Sequence, residues 1–331
     1  MPEPDLEFAA GRSAVDPAGP GTVNPTSTLQ TVDLAQRAGA ATDGGAPRGR
    51  ARRARLGVAG RLAVAWLVAV VAAALLAPIL PLDDPNQSFA EIAREGPGAE
   101  GHILGGDGLG RDMLSRIVWG ARASLLLSVS AVVLGLVVGG LLGLMAGYFR
   151  GRLDSVMTGL FDVLLSFPQL ILAITLVTVF AGGAVTSTRR MVVLILALGL
   201  VSVPVLARIT RANTLSWCQR EFVLAARAMG ARNRSIMFRE VLPNVLPAMF
   251  SITLLGIAVV VVAEGGLSIL GVGVQLPTPS WGNIIAEGRG DLRRAPHIVM
   301  IPTVVIFFTV LSLNYLGDVV RARFDVRESA L

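Results

Sequence analysis

The sequence contains no lysine; all 29 of its basic residues are arginine. A phosphate-cradling loop of the G-x-x-x-x-G-K-[ST] type needs its lysine, so any ATP hydrolysis must come from a partner chain. The one cysteine, Cys218, excludes an internal disulfide. It falls in a stretch read as cytoplasmic, where thiols stay reduced. The two histidines, His102 and His297, form no metal-ligand cluster in sequence with each other or with the cysteine, and both read as loop or interface polar residues. Aromatic residues make up only 5% of the chain and few interleave with the arginines, so the net charge of +6 does not point to nucleic acid. Charged residues are scarce at 16%, against about a quarter in an ordinary soluble domain.

What fills the gap is apolar. The 331 residues are 53% hydrophobic, with a mean hydropathy of +0.65. The charges cluster, and between the clusters lie runs near the ~20 residues that a membrane helix needs. The reading is an all-α integral membrane protein with six spans at about 62–80, 125–148, 156–180, 191–207, 245–270 and 297–316. Residues 1–55 read as a disordered cytoplasmic arm, polar and without apolar period, and 56–331 as the transmembrane domain. The arginines from Arg48 to Arg61, the stretch 208–244 with seven arginines against Glu221 and Glu240, and the tail with Arg321, Arg323 and Arg327 all lie inside by the positive-inside rule, so both termini are cytoplasmic.

Four local expectations follow. Asp112–Ala123, with Met113, Ile117, Val118 and Ala121 on one face and Arg116 and Arg122 elsewhere, reads as an interfacial helix before the second span. Gly139, Gly143 and Gly147 recur every four residues, a spacing that lets membrane helices approach closely. Pro168 is a kink candidate in the third span. Pro243 and Pro247 are expected to break the chain before the fifth.

The stretch Glu221 to Pro243 carries the mechanism. Phe222, Ala225, Ala226 and Met229 are spaced i, i+3, i+4, i+7, one face of a short helix. Gly230 follows as its natural stop. Asn233 is placed to cap a second short helix with a stripe of Ile236, Met237 and Val241. Apolar faces on an aqueous loop call for a partner groove; the alternative is a helix lying on the lipid surface.

Glu221 to Gly230, closing on Val241-Leu242-Pro243-Asn244, resembles the EAA loop of binding-protein-dependent ABC importers, with Ala225, Ala226, Gly230, Leu242 and Pro243 in register. Leu224 and Glu240 depart from that pattern. The run Leu104 to Leu125 is similar to the L-G-T-D-x-x-G-R-D-x-x-S-R run of dipeptide, oligopeptide and nickel permeases, with Gly106 for the threonine. Glu264 to Gly282 and Asn314 to Asp318 resemble further parts of the same family, which together cover about 61–327.

The resemblance implies a C-type permease subunit with the type I importer fold, in a bacterial inner membrane. It would hold no cofactor itself. ATP and magnesium would sit on two partner ATPase subunits or domains. A second homologous permease, an extracytoplasmic binding protein, a peptide substrate and the lipid bilayer complete the partners. Glu221, Phe222, Ala225, Ala226, Met229, Gly230, Leu242 and Pro243 would then make the ATPase contact. Nickel complexes and other small solutes remain alternative cargoes. A self-contained ion-coupled carrier and a membrane enzyme are the readings from other classes, but no paired broken helices, internal repeat or catalytic constellation is apparent.

Two carboxylates fall within spans, Asp162 and Glu264. A bare charge at mid-bilayer costs about 2.5–3.5 kcal/mol on insertion scales. They either line the path or its gate, or pair with another helix.

Overall fold

The computed structural model describes residues 57–181 and 186–328, with side chains described through residue 323. The N-terminal arm and its basic cluster, part of the loop before the fourth span, and the side chains of Asp325 and Arg327 lie outside this description.

Nine helices carry the fold among the described residues: α1 (Val58–Leu76), α2 (Met113–Phe149), α3 (Gly151–Ser166), α4 (Gln169–Phe180), α5 (Ser187–Trp217), α6 (Glu221–Ala228), α7 (Leu242–Ile269), α8 (Trp281–Gly288) and α9 (His297–Glu328). Five are long and apolar enough to cross a membrane: α1, α2, α5, the run Asn233–Ile269 that contains α7, and α9. The pair α3 and α4 makes a sixth if counted as one span, bent by 88°. The break falls at Phe167–Pro168. Pro168 has no N–H to donate and disfavours helix at the residue before it, so the expected kink is a full break.

Elsewhere helices run on where the sequence suggested a stop. The stretch read as an interfacial helix is the first part of α2, one unbroken helix of 37 residues. Met113, Ile117 and Ala121 are buried as expected, but Arg116, placed off that face, is itself only 1% exposed. Pro204 and Pro302 sit inside α5 and α9 without ending them. Pro247 does not break the chain either, since α7 passes through it; Pro243 stands at the helix start, where a missing N–H costs nothing. Asn233 is not a cap: it lies within the turn Asn233–Ser235, and its Oδ1 accepts the Tyr148 hydroxyl at 3.0 Å.

The centre of the bundle is the α2–α5 crossing, and the glycine spacing sets it. A Cβ on Gly139 would lie 2.5 Å from the Val203 carbonyl oxygen, one on Gly143 2.2 Å from that of Ala207, and one on Gly147 2.8 Å from that of Arg211. Only the bare backbone fits. Around this pair, α1 is tied to α9 by Trp66 Nε1 donating to Thr309 Oγ1 at 3.1 Å. Ser251 Oγ of α7 donates to the Gly317 carbonyl of α9 at 2.7 Å. Apolar side chains such as Leu62, Leu75, Val129, Val137 and Phe307 face outward, as a hydrocarbon environment favours.

Filling the crossing should therefore be costly. Gly143→Leu should destabilise the purified protein by about 1–3 kcal/mol or more, read as a lower melting temperature in detergent. Gly159→Ala is the control. Nothing lies within 4 Å of its added Cβ, so it should melt at or slightly above the wild-type temperature.

Candidate functional site at the two ends of the bundle

At one end, the chain leaves α5, forms α6, turns at Gly230 and returns into α7. Gly230 has φ +78°, the left-handed region that favours glycine, and its N–H bonds the Arg227 carbonyl at 2.9 Å. Val223 and Ala226 of α6 are buried with Tyr148, Trp217, Ile236, Met237, Val241 and Val245 in a core separate from that of the spans. The stripe Ile236, Met237, Val241 is thus covered by the chain itself. It rides on a π-helical turn, Ile236–Val241, that feeds into α7.

The outer face of α6 is open. Phe222 is 39% exposed, Leu224 51% and Met229 80%, and Glu221 and Ala225 are exposed beside them. Four of the five residues first placed on this face or at its head are therefore outward. Ala226 turns inward, because the helix is rolled to seat Val223 and Ala226, three apart, on the core. Leu224 takes its place outside. Its exposure was missed because it is off the i, i+3, i+4, i+7 stripe. Leu242 and the exposed Pro243 begin α7 at the same end.

Between α3 and α5 two ion pairs form rungs. Arg211 pairs with Asp154, its Nη2 donating at 2.7 Å, and Arg208 pairs with Asp162. Both side chains of the Asp162–Arg208 pair are about half-exposed. An apolar cavity of about 650 Å³ lies among α2, α4, α5 and α7, lined by residues such as Leu170, Val205 and Val259, with Gln169 and Ser202 as its polar side chains. Glu264, near the far end of α7, is fully buried and receives the Ser268 and Ser280 hydroxyls at 2.8 Å each.

The opposite end is closed by the segment 81–112 and by α8. Their contact is ionic and buried. Asp107 accepts the backbone N–H groups of Leu109 at 2.8 Å and Arg111 at 2.9 Å, Arg111 Nε at 2.6 Å, and a bond from Arg116 Nη1. Both arginines continue to Glu287 of α8, at 3.0 Å from Arg111 and 2.5 Å from Arg116. Asp107 and Arg111 are 2% and 7% exposed. Burial alone works to raise the Asp107 pKa. The Arg111 backbone N–H, the Arg116 and Arg111 guanidiniums and the Leu109 N–H outweigh it and hold the carboxyl below its ordinary value of 3.8. Nearby, His102 Nδ1 meets Asp112 Oδ1 at 3.0 Å and Asp83 Oδ2 at 3.8 Å, so three donor atoms of the kind that bind metals gather within 4.8 Å of one another. His297 Nε2 contacts the Gly106 carbonyl at 3.0 Å. The sequence offered no spacing that would bring these groups together.

Residues 139–329 match the family described as binding-protein-dependent transport system inner membrane component. A glutathione transport system permease protein of Pectobacterium atrosepticum is 37% identical over 273 residues, 82% of this chain and 87% of that protein. A di/tripeptide transport system permease protein of Pseudomonas aeruginosa is 35% identical over 265 residues, 78% of this chain and 85% of its own length. Among solved structures, a chain from inward-facing conformations of the MetNI methionine ABC transporter superposes with a TM-score of 0.53 at 21% identity, covering 64% of this chain and 97% of that one. That likeness speaks for the fold.

The ionic end should be sensitive to acid. The folded-state pKa of Asp107 lies below the unfolded one, so its contribution is complete above about pH 4 and is lost as pH falls through the folded-state value. Asp107→Asn leaves two buried arginines short of a partner and should lower stability at neutral pH by about 3 kcal/mol. It should also flatten the acid limb of a melting temperature against pH curve, measured between pH 2 and 7 in detergent.

Proposed function

The chain belongs to the binding-protein-dependent transport system inner membrane components, the non-catalytic permeases of ABC importers, and from that premise we propose that it forms half of the import path for small peptides, with di- and tripeptides and glutathione as the cargo class. A second, related permease supplies the other half. A binding protein delivers the cargo from outside. Two ATPase subunits or domains hold ATP and magnesium on the inner side. Both termini, and the α5–α6–α7 turn with its arginines, face the cytoplasm. The ionic end of 81–112 and α8 faces out.

The single observation that carries the mechanism is the outward face of α6. Phe222, Leu224 and Met229 stand exposed on a helix whose other side is locked into its own core. Leaving a large apolar side chain in water forgoes about 1.5–3 kcal/mol of burial, so this face favours a partner groove. Its seat on a separate small core makes it a rigid knob, and the π-helical turn links it directly to span α7. A push on α6 by a closing ATPase pair would thus reach the spans. The absence of lysine agrees, since this chain lacks the P-loop residue that grips a triphosphate. The cargo class rests on the two relatives' similarity over about four-fifths of the chain. The apolar cavity among α2, α4, α5 and α7 supports a path on that face of the bundle.

Met229→Glu should abolish co-purification of the ATPase subunits with the assembled permease pair, with its melting temperature unchanged because the side chain touches no core. Undiminished co-purification from both Met229→Glu and a deletion of 225–230 would remove α6 from the contact. For cargo, proteoliposomes of the full complex should accumulate labelled dipeptide, tripeptide or glutathione in an ATP-dependent way. Uptake of nickel complexes alone would overturn the peptide assignment.

A further inference from the structure

Glu264 has no exposed surface, and the partners that hold it are neutral. Oε1 accepts the hydroxyls of Ser268 and Ser280 at 2.8 Å each. Oε2 is approached by the Ser124 hydroxyl at 3.4 Å. The backbone of Gly282 also lies close against the carboxylate. These partners belong to three elements: Ser124 to α2, Ser268 to α7 itself, and Ser280 and Gly282 to the start of α8.

The start of α8 is built around this carboxylate. Ser280 caps the helix in a capping box: its hydroxyl accepts the Asn283 N–H, and its own N–H donates to Asn283 Oδ1. Trp281, fully buried, donates its backbone N–H to Ser124 Oγ at 3.1 Å and its indole N–H to the Ile117 carbonyl at 3.1 Å. A Cβ on Gly282 would lie 2.9 Å from both Glu264 oxygens, so only glycine lets the backbone come this near. Negative charge is favoured at a helix N-terminus, where unpaired N–H groups and the helix dipole point. A buried carboxyl group otherwise costs free energy unless its oxygens are hydrogen-bonded. Apolar packing would fix α8 at less expense if fixing were all that was required.

The other end of α7 is the α6 knob. From Leu242 to Glu264 the helix is continuous, a rod of about 33 Å. One rigid span therefore joins the proposed ATPase contact to the first turn of α8, and α8 in turn holds the 81–112 segment through Glu287. We propose that Glu264 is a positioning residue that transmits motion between α7 and α8, so that nucleotide closure at one face of the membrane moves the cap at the other. The inference rests on the reading of α6 as the ATPase contact. The joint is made of hydrogen bonds to one carboxylate, which can be exchanged among three serines as the helices shift, whereas interdigitated apolar packing admits only discrete arrangements.

The test uses the complete complex of both permeases and the ATPase subunits in lipid nanodiscs, with Cys218→Ser to remove the native thiol. Spin labels are placed at Ala286→Cys on α8 and at Leu75→Cys on α1, and their separation is measured without nucleotide and after trapping with ATP and vanadate. The otherwise wild-type complex should show a nucleotide-dependent change in distance. Glu264→Gln, which keeps the volume but turns one acceptor into a donor, should lose that change while still co-purifying with the ATPase and trapping nucleotide. An unchanged shift in Glu264→Gln, or no shift in the wild-type complex, would overturn the proposal. If Glu264→Gln does not assemble, Gly282→Ala decides, because its methyl group intrudes on the same bonds from the α8 side; a wild-type shift there overturns the joint equally. Failure of the wild-type chain to bind the ATPase would count instead against the underlying reading of α6.

Discussion

Hydrocarbon offers no water to an unpaired polar group, and this constraint organises the bundle. Among the described residues, several carboxylates within or beside the spans are met by polar partners that join different elements. Asp154 and Asp162 of α3 meet Arg211 and Arg208 of α5. Asp107 is shared by Arg111 and Arg116, which reach Glu287 across the chain. Glu264 is met by serines from α2, α7 and the cap of α8. Buried ion pairs add little net stability over apolar packing, but removing one partner is severe. They therefore fix which helices lie beside which, while the glycine-lined α2–α5 crossing supplies the close contact that holds them.

The two ends solve different problems with different chemistry. The end with α6 keeps its inner side apolar and locked, and leaves Phe222, Leu224 and Met229 outward. The end with α8 is a lattice of charge-assisted bonds between segments far apart in sequence. A permanent apolar knob suits a partner that stays attached, whereas a polar cap can be remade as helices move. Two continuous helices enter both regions directly: α7, through the π-helical turn at one end and Glu264 at the other, and α2, through Tyr148 at one end and Arg116 at the other.

Much of this was legible in the sequence. The apolar runs follow from hydropathy, and proline chemistry marked Pro168, though as a kink within one span where the structure has a full break. Gly139, Gly143 and Gly147 announced a close crossing by spacing alone. Gly230 marked the end of α6. What could not be read depends on tertiary neighbours. Arg116 is off the apolar face by helical period, yet Asp107 and Glu287, the latter 171 residues away, draw it inside. Pro247 reads as a break because propensity scales describe helices in water; inside a packed bundle other elements hold the helix together. Ala226 carries no sign of whether its face meets a partner or the chain's own core, and only the roll of α6 on Val223 decides it. Ser124 and Glu264 are 140 residues apart, a pairing that no local pattern encodes.

The exposed face of α6 is proposed to sit against an ATPase subunit on the inner side of the membrane. The most direct measurement places a photoreactive amino acid at Met229 and irradiates intact cells that express the whole transporter. A covalent adduct with the ATPase subunit is expected, and it should be lost when Met229 is left natural and the group is moved to the buried Val223. An adduct with lipid or with the binding protein, and none with the ATPase, would contradict it.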